Sequence, residues 1–391
     1  MSFAEICHSI EDGDWIEKKD QSNSGIRLIQ TGNIGVGVYK DKTDKAKYIS
    51  EDTFVRLKCL EVVEGDILIS RLPEPVGRAC AVPKLPVRSI TAVDCSILKL
   101  KNCVAKSWFI YYTQSNDYFS KARKECSGTT RDRITRKKLS VITIPVPPLS
   151  EQQRIVALLD AEFAKIDALK ANAEKNLQNA KDLFQAALKK ELEPKEGWTK
   201  KKLNDLYDVR DGTHDSPKYQ ERGFPLVTSK NLRNGFVDMA NVKYISQQDY
   251  DKINERSKVD IGDVLFAMIG TIGNPSLVVE EPNYAIKNMA LFKVPLTQSG
   301  SLLRYVLSSN QVLDEMHNKA KGSNQPFVSL GYLRNFEITI PQTLEEQNSL
   351  VCKLDILDER CKALQANYEK TLSLCDDLKQ ALLRKAFNGE L

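Results

Sequence analysis

No stretch of this chain stays apolar for the roughly 18–20 residues that a bilayer-crossing helix needs, so no membrane span is expected. The N-terminus, MSFAEICHSIEDGDW, sets no basic segment before an apolar one, which argues against a secretory signal. The nine cysteines are scattered, none in a CxxC pair, and an odd number does not suit a disulfide framework. They read as reduced thiols in a cytoplasm. Histidine is scarce, with three in 391 residues, and no zinc-type spacing occurs. Also missing are a Gly-rich nucleotide fingerprint, a P-loop, and the Asn-Pro-Pro-Tyr or Asp-Pro-Pro-Tyr motif with which amino-methyltransferases hold a base. The VPPL at 146–149 lacks the polar residue ahead of its prolines. No catalytic residue, metal site or bound cofactor is therefore expected of this chain. Charge of one sign is lacking too. The 57 Lys and Arg against 52 Asp and Glu leave a net +5, compatible with a polyanionic partner without requiring one.

Glycine and proline are absent from 149 to 193, and this absence organises everything else. About 40 residues of unbroken helix, at about 1.5 Å each, would be about 60 Å long. Ser150 with Gln153 has the form of a capping box at its start. Leu159, Phe163, Ile166, Leu169, Ala173, Leu177, Ala180, Phe184 and Ala187 recur at spacings of three and four, a seam that asks for a partner helix, with a stutter near Ala173.

The partner is a second copy of the same segment. EEQNSLVCKLDILDERCKALQANYEKTLSLCDDLKQALLRKAF, from 345 to 387, aligns with it without a gap: Glu151 on Glu346, Gln152 on Gln347, Asp160 on Asp355, Leu188 on Leu383. Its seam is Leu354, Cys361, Leu364, Tyr368, Leu372, Cys375 and Leu382, which makes Cys361 and Cys375 buried seam residues.

The blocks between the helices repeat as well. GIRLIQTGNI at 25–34 matches GFPLVTSKNL at 223–232, and KYIS at 47 matches KYIS at 243. EGDILIS at 64–70 matches IGDVLFA at 261–267, CSILKL at 95 matches NMALFKV at 288, and ECSGTTRDRITRKKL at 125–139 lies opposite AKGSNQPFVSLGYL at 320–333. The spacing of the framework is kept while the residues between change. Short apolar runs at 26–29, 66–69, 96–100 and 141–146, punctuated by glycine and proline, read as strands, and 106–122 as one helix. The fold class is α+β with a mostly antiparallel sheet. Four segments follow: a first head at 1–148, a helix at 149–193, a second head at 194–342 and a helix at 343–391. Folding the second helix back along the first gives an antiparallel two-helix coiled coil separating two pseudo-symmetric α/β heads. FNGEL at the C-terminus should then meet the first head as EPKEGW at 193–198 meets the second.

IPVPPLSEQQRIV, the repeated helix and the terminal LLRKAFNGEL resemble the two conserved regions of Type I restriction–modification specificity subunits. DGTHDSPKY at 211–219, VTSKNL and GDVLFAMIGTIGNP resemble signposts of that family's target-recognition domains. The resemblance covers nearly the whole chain. It implies that each head reads one half of a bipartite, asymmetric site on double-stranded DNA, and that the helices set the unread gap. Two modification (methyltransferase) subunits would dock beside the helices and bring S-adenosylmethionine with them, and restriction subunits can join. The first head departs from the pattern, with DGDWIEKKDQS at 12–22 and SRLPEPVGRA at 70–79 in place of DGTHDSPKY and FAMIGTIGNP.

Base reading needs Arg or Lys for guanine and Asn or Gln for adenine, with further donors to phosphate. Candidates in the first head are Thr31, Asn33, Arg71, Arg78, Arg131 and Arg133; in the second they are Ser229, Lys230, Asn231, Arg233, Thr271, Asn274, Asn324 and Gln325. His214, with no second ligand near it in sequence, reads as a structural loop residue. A coiled-coil scaffold with two protein-binding heads explains the helices equally well.

Overall fold

A computed structural model of the protein describes residues 1–127, 132–322 and 325–391. Its contacts separate into two compact units, one formed by 1–173 with 370–391 and the other by 174–369, so each unit combines one head with half of each long helix.

The first unit is built on an antiparallel sheet in the order Cys7–Asp12, Cys95–Leu100, Ile67–Ser70, Ala79–Ala81. The second repeats it as Asp208–Asp211, Met289–Lys293, Val264–Ala267, Gly273–Leu277. Ile67–Ser70 and Val264–Ala267 are buried at every residue, which is why they read as short continuous apolar runs rather than as alternation. A smaller sheet stands beside each. Lys47–Ile49 and Ile26–Ile29 pair antiparallel, and Ile26–Ile29 pairs parallel with Ser89–Thr91. Lys243–Ile245, Phe224–Val227 and Ala285–Ile286 reproduce that order in the second unit.

Three local expectations are corrected. The segment expected as one helix over 106–122 is two, Lys106–Tyr112 and Asn116–Lys124, because the Ser115 hydroxyl caps the second helix by accepting from Tyr118 N at 3.2 Å. The second unit breaks the same way at Ser309, between Gly300–Ser308 and Asn310–Lys319. The run at 141–146 is no strand: its pairing is limited to a bridge between Ser2 and Thr143, whereas Glu337–Pro341 pairs fully with Trp198–Lys202. Ser150 does not cap the first long helix, Leu149–Glu191, whose first turn instead uses the Pro148 carbonyl. The box stands on the second, Leu344–Asn388, where Thr343 and Glu346 exchange hydrogen bonds of 3.0 and 3.2 Å.

Within the first unit the helix segments run antiparallel, since Lys170 meets Asp376 at 2.7 Å and Lys379 meets Asp167. Leu159, Phe163, Leu383 and Ala386 join Phe3, Trp108 and Tyr112 in one core, and Phe387 stacks edge-on against Trp108 and Tyr112. In the second unit Leu188, Leu350, Val351 and Leu354 share a core with Leu203, Phe292 and Tyr305. Cys361 and Cys375 are buried, but Leu169 and Leu364 are 56% and 40% exposed, so the seam turns past them to the smaller Ala173 and Ala180. No described helix is long and apolar enough to cross a membrane.

Four glutamines key the heads to the helices. Gln152, fully buried, accepts from Ala105 N at 2.8 Å and donates to the carbonyls of Cys103 and Pro147 at 2.9 and 2.8 Å. Gln347, its repeat, accepts from Ser299 N at 2.9 Å and donates to the Pro341 carbonyl at 3.0 Å. From the other helix in each unit, Gln380 brackets Gln114 and Asn116, and Gln185 brackets Ser308 and Asn310. Tyr111–Asp160 and Tyr305–Asp355 repeat as a further pair, at 2.5 and 2.6 Å. Each head is thus held by both helices. Gln152→Ala or Gln347→Ala leaves a buried amide N–H unpaired and should lower stability by about 2 kcal/mol in urea denaturation, whereas Gln178→Ala, on an exposed helix face, should change it by less than about 0.5 kcal/mol.

Candidate nucleic-acid interface

Each unit carries a short 3-10 turn directly after a strand of its smaller sheet, Thr31–Asn33 in one and Ser229–Asn231 in the other. An asparagine closes each turn in the same way. Asn33 Oδ1 accepts from Gln30 N and its Nδ2 donates to the Lys40 carbonyl, both at 2.9 Å; Asn231 does so with Thr228 N and the Asp238 carbonyl, both at 3.0 Å. Return bonds of 2.7 Å, from Lys40 N to the Asn33 carbonyl and from Asp238 N to the Asn231 carbonyl, complete a staple in both units. Both asparagines are buried, and their amides are committed inside the staple rather than offered to adenine edges. What faces outward on each turn is the rest of it: Thr31 and Gly32, or Ser229 and Lys230.

Arg78 and Arg71 also turn inward. The Arg78 guanidinium donates to the carbonyls of Thr31, Ile34, Leu72 and Pro75 at 2.7–3.0 Å, bracing the turn and the loop at 71–77 from inside, and burial holds its pKa below the usual arginine value. Arg71 donates to the Val93 carbonyl and lies 3.4 Å from Asp12. Both guanidiniums, expected from the sequence to face guanine edges, are directed into the fold, Arg78 onto four carbonyls and Arg71 onto one carbonyl and Asp12. Arg133 is half exposed and pairs with Asp94 at 2.9 Å. Arg131 and Asn324 lie outside the described residues. Reciprocal main-chain bonds join Ser127 with Arg133 and Lys321 with Phe327.

The second unit gathers most of its candidates on one connected surface. Arg233 is exposed on the hairpin Leu232–Arg233/Phe236–Val237, whose Asn234 and Gly235 take the left-handed conformations a two-residue turn requires. Leu277 N donates to the Gly235 carbonyl at 2.9 Å, which lays the hairpin on the strand that carries exposed Asn274. Thr271 is exposed in the loop before that strand. The Gln325 side chain lies over Gly270, its Nε2 3.2 Å from where a Cβ would stand. Lys230 accepts from Arg233 Nε through its carbonyl at 3.2 Å, leaving its own ammonium free of the turn.

The DG motif repeats for a packing reason. A Cβ on Gly13 would sit 2.3 Å from the Ala92 carbonyl oxygen, and one on Gly212 would sit 2.5 Å from that of Ile286. This close approach turns the next residues outward: Trp15, 69% exposed, in the first unit and His214 in the second. His214 bridges Asn288 Oδ1 at 3.0 Å and Asp211 Oδ2 at 2.8 Å, and Asp211 also holds Arg256, in keeping with a structural loop role. Among the described residues no group of His, Cys, Asp and Glu could hold a metal ion. Exposed Trp15, and Lys42, whose Nζ lies 3.2 Å from where a Gly32 Cβ would stand, are not among the residues singled out from the sequence; the mismatch of Gly32 with Lys230 in the repeat alignment is the signal for the latter.

A family model for the Type I restriction modification DNA specificity domain matches residues 1–179 and again 195–373. The chain is 25% identical over 402 residues to the Type I restriction enzyme EcoKI specificity subunit of Escherichia coli K12, covering 96% of this chain and 85% of that one. It is 24% identical to the MjaVIII specificity subunit of Methanocaldococcus jannaschii, over 78% of this chain and 75% of that one. Among solved structures, a chain from a study of complex assembly and conformational transition in a type I R-M system superposes with a TM-score of 0.79 at 19% identity, covering 100% of this chain and 97% of that one. The HsdS subunit from Thermoanaerobacter tengcongensis gives 0.54 at 18%, with 100% and 96% covered. These two likenesses concern the fold. The family match, found once in each half, accounts for the repeat from which the architecture is built, and the chain belongs to the DNA specificity subunits of Type I restriction–modification systems.

Proposed function

We propose that this chain is the non-catalytic, DNA-reading subunit of a cytoplasmic Type I restriction–modification complex, in which each unit reads one half of a bipartite, asymmetric site. One observation carries the reading. The two units keep the same sheets and the same asparagine staple but present different residues around it: Thr31 beside an internally braced loop in one, Ser229, Arg233, Asn274 and Gln325 in the other. Identical frames with different outward chemistry suit two different base sequences. Methylation and its S-adenosylmethionine belong to the partner subunits, and a restriction subunit can join them.

The helices set the gap and dock the partners. Leu169 and Leu378 are exposed in the first unit, and their repeats Leu364 and Leu183 in the second, one leucine from each helix in each unit. Two equivalent apolar sites suit two copies of one methyltransferase subunit.

Mapping methylated adenines after co-expression with the methyltransferase subunit should return one non-palindromic motif of two half-sites with a constant gap; a contiguous or palindromic motif contradicts the reading. Inserting four helix-forming residues both after Ala173 and after Glu369 adds about 6 Å and should widen the gap by about two base pairs with both half-sites unchanged. Leu169→Glu combined with Leu364→Glu should remove the methyltransferase subunits from the co-purified complex without moving the chain's thermal midpoint. Retention of two partner subunits would place docking elsewhere.

A further inference from the structure

Resting on the DNA-reading role, we infer that Lys42 and Lys230 are equivalent contacts to DNA backbone phosphates, one for each half-site, reached by two different routes through the sequence. On the Ser229–Asn231 turn the lysine is the middle residue, Lys230. The matching residue of the Thr31–Asn33 turn is Gly32, which offers no side chain. The place is not empty. The ammonium of Lys42 reaches across the turn, its Nζ 3.2 Å from where a Gly32 Cβ would stand, and among the described residues outside the turn itself no other atom comes within 4 Å of that position.

The staple shows that the exchange is reciprocal. Asn33 is bonded both ways to Lys40, and Asn231 both ways to Asp238, the partners standing seven positions apart in each unit. Two residues beyond the staple the first unit has Lys42 and the second has Ala240. A lysine and a small residue have therefore changed places across one conserved hydrogen-bonded frame: Gly32 with Lys42, Lys230 with Ala240.

Lys42 is held there by its neighbours. On one side Lys40 is bonded to Asn33, and next to it Asp41 pairs at 2.5 Å with Arg27, a guanidinium buried in the smaller sheet. On the other side the Lys42 carbonyl accepts from Lys45 N at 3.1 Å. Both Lys42 and Lys230 are exposed, and among the described residues neither ammonium has a carboxylate within ion-pair distance. A free ammonium returned to the same turn of a repeated frame, by whichever residue is available, is what a backbone contact requires. A phosphate oxygen is common to every sequence, so the charge is kept while the base-reading residues around it vary. Lysine suits this task as a point charge on a flexible stem that needs no fixed bidentate geometry.

The test uses the chain assembled with its methyltransferase subunits on a duplex carrying the mapped site. Lys42→Ala should weaken binding about three- to ten-fold at fixed salt, reduce the slope of log affinity against log salt by about one, and leave the methylated motif unchanged. Gly32→Lys added to Lys42→Ala should restore both affinity and slope, because it moves the ammonium to where the other unit carries it. Lys230→Ala should mirror the loss, and Lys230→Gly with Ala240→Lys should mirror the recovery. Wild-type affinity and slope in Lys42→Ala, an altered half-site sequence, or a double substitution that recovers nothing would each overturn the assignment while leaving the DNA-reading role intact. A wild-type complex with no salt-dependent affinity for DNA would overturn both.

Discussion

A buried glutamine amide at the start of each long helix is the contact on which the rest of the structure depends. Gln152 and Gln347 have no solvent exposure, and each satisfies a backbone N–H and at least one backbone carbonyl of the head beside it. An amide in that position is a two-way key: it fits only if donor and acceptor both find their partners, and a mismatched register would bury unpaired polar groups at several kcal/mol. The opposite helix adds Gln380 or Gln185 and completes the seating. A head fixed to two helix segments cannot rotate on them, so whatever its loops present is presented in a constant orientation to the helices. A reader whose output is a position along a duplex needs that rigidity more than it needs a pocket.

The internal repeat separates what is mechanical from what is chemical. Residues held at matching places in both units are almost all interior or frame-forming: the asparagine staple, the DG approach to a carbonyl, the serine caps at Ser115 and Ser309, the Tyr–Asp pairs at the helices. Differences at matching places fall in the core as well as outside, but those in the loops change what the surface presents. Arg78 in one unit corresponds to exposed Asn274 in the other, each standing after a positive-φ glycine, Gly77 or Gly273, at the entry to the fourth strand of its sheet. One is a brace and the other an exposed amide. A repeated frame thus supports two surfaces without itself changing, which is the property an asymmetric recognition protein requires.

Much of this was legible before any coordinates. A run of more than 40 residues free of glycine and proline can hardly be anything but a helix, and its gapless recurrence announced two equivalent halves. The strands at Ile26–Ile29, Ile67–Ser70 and Cys95–Leu100, and the burial of Cys361 and Cys375, follow from apolar patterning, because water exclusion is the dominant local force and reads directly from residue type.

Direction, by contrast, belongs to the tertiary structure. Arg71, Arg78, Asn33 and Asn231 have the right chemistry to read bases, but carbonyls from distant parts of the chain take up the arginines, and the folding back of their own turns takes up the asparagines. Leu169 and Leu364 stand at seam spacing yet face outward, because a helix of 3.6 residues per turn drifts from any fixed repeat and the smaller Ala173 and Ala180 take the contact. Lys42 meets the Thr31–Asn33 turn only because a hydrogen-bonded staple folds the chain back on itself there. Residue type and periodicity settled which elements form and that they form twice. Which polar side chains remain free for a partner was decided by hydrogen bonds made when the loops close and the strands assemble, and residue type and periodicity do not encode those.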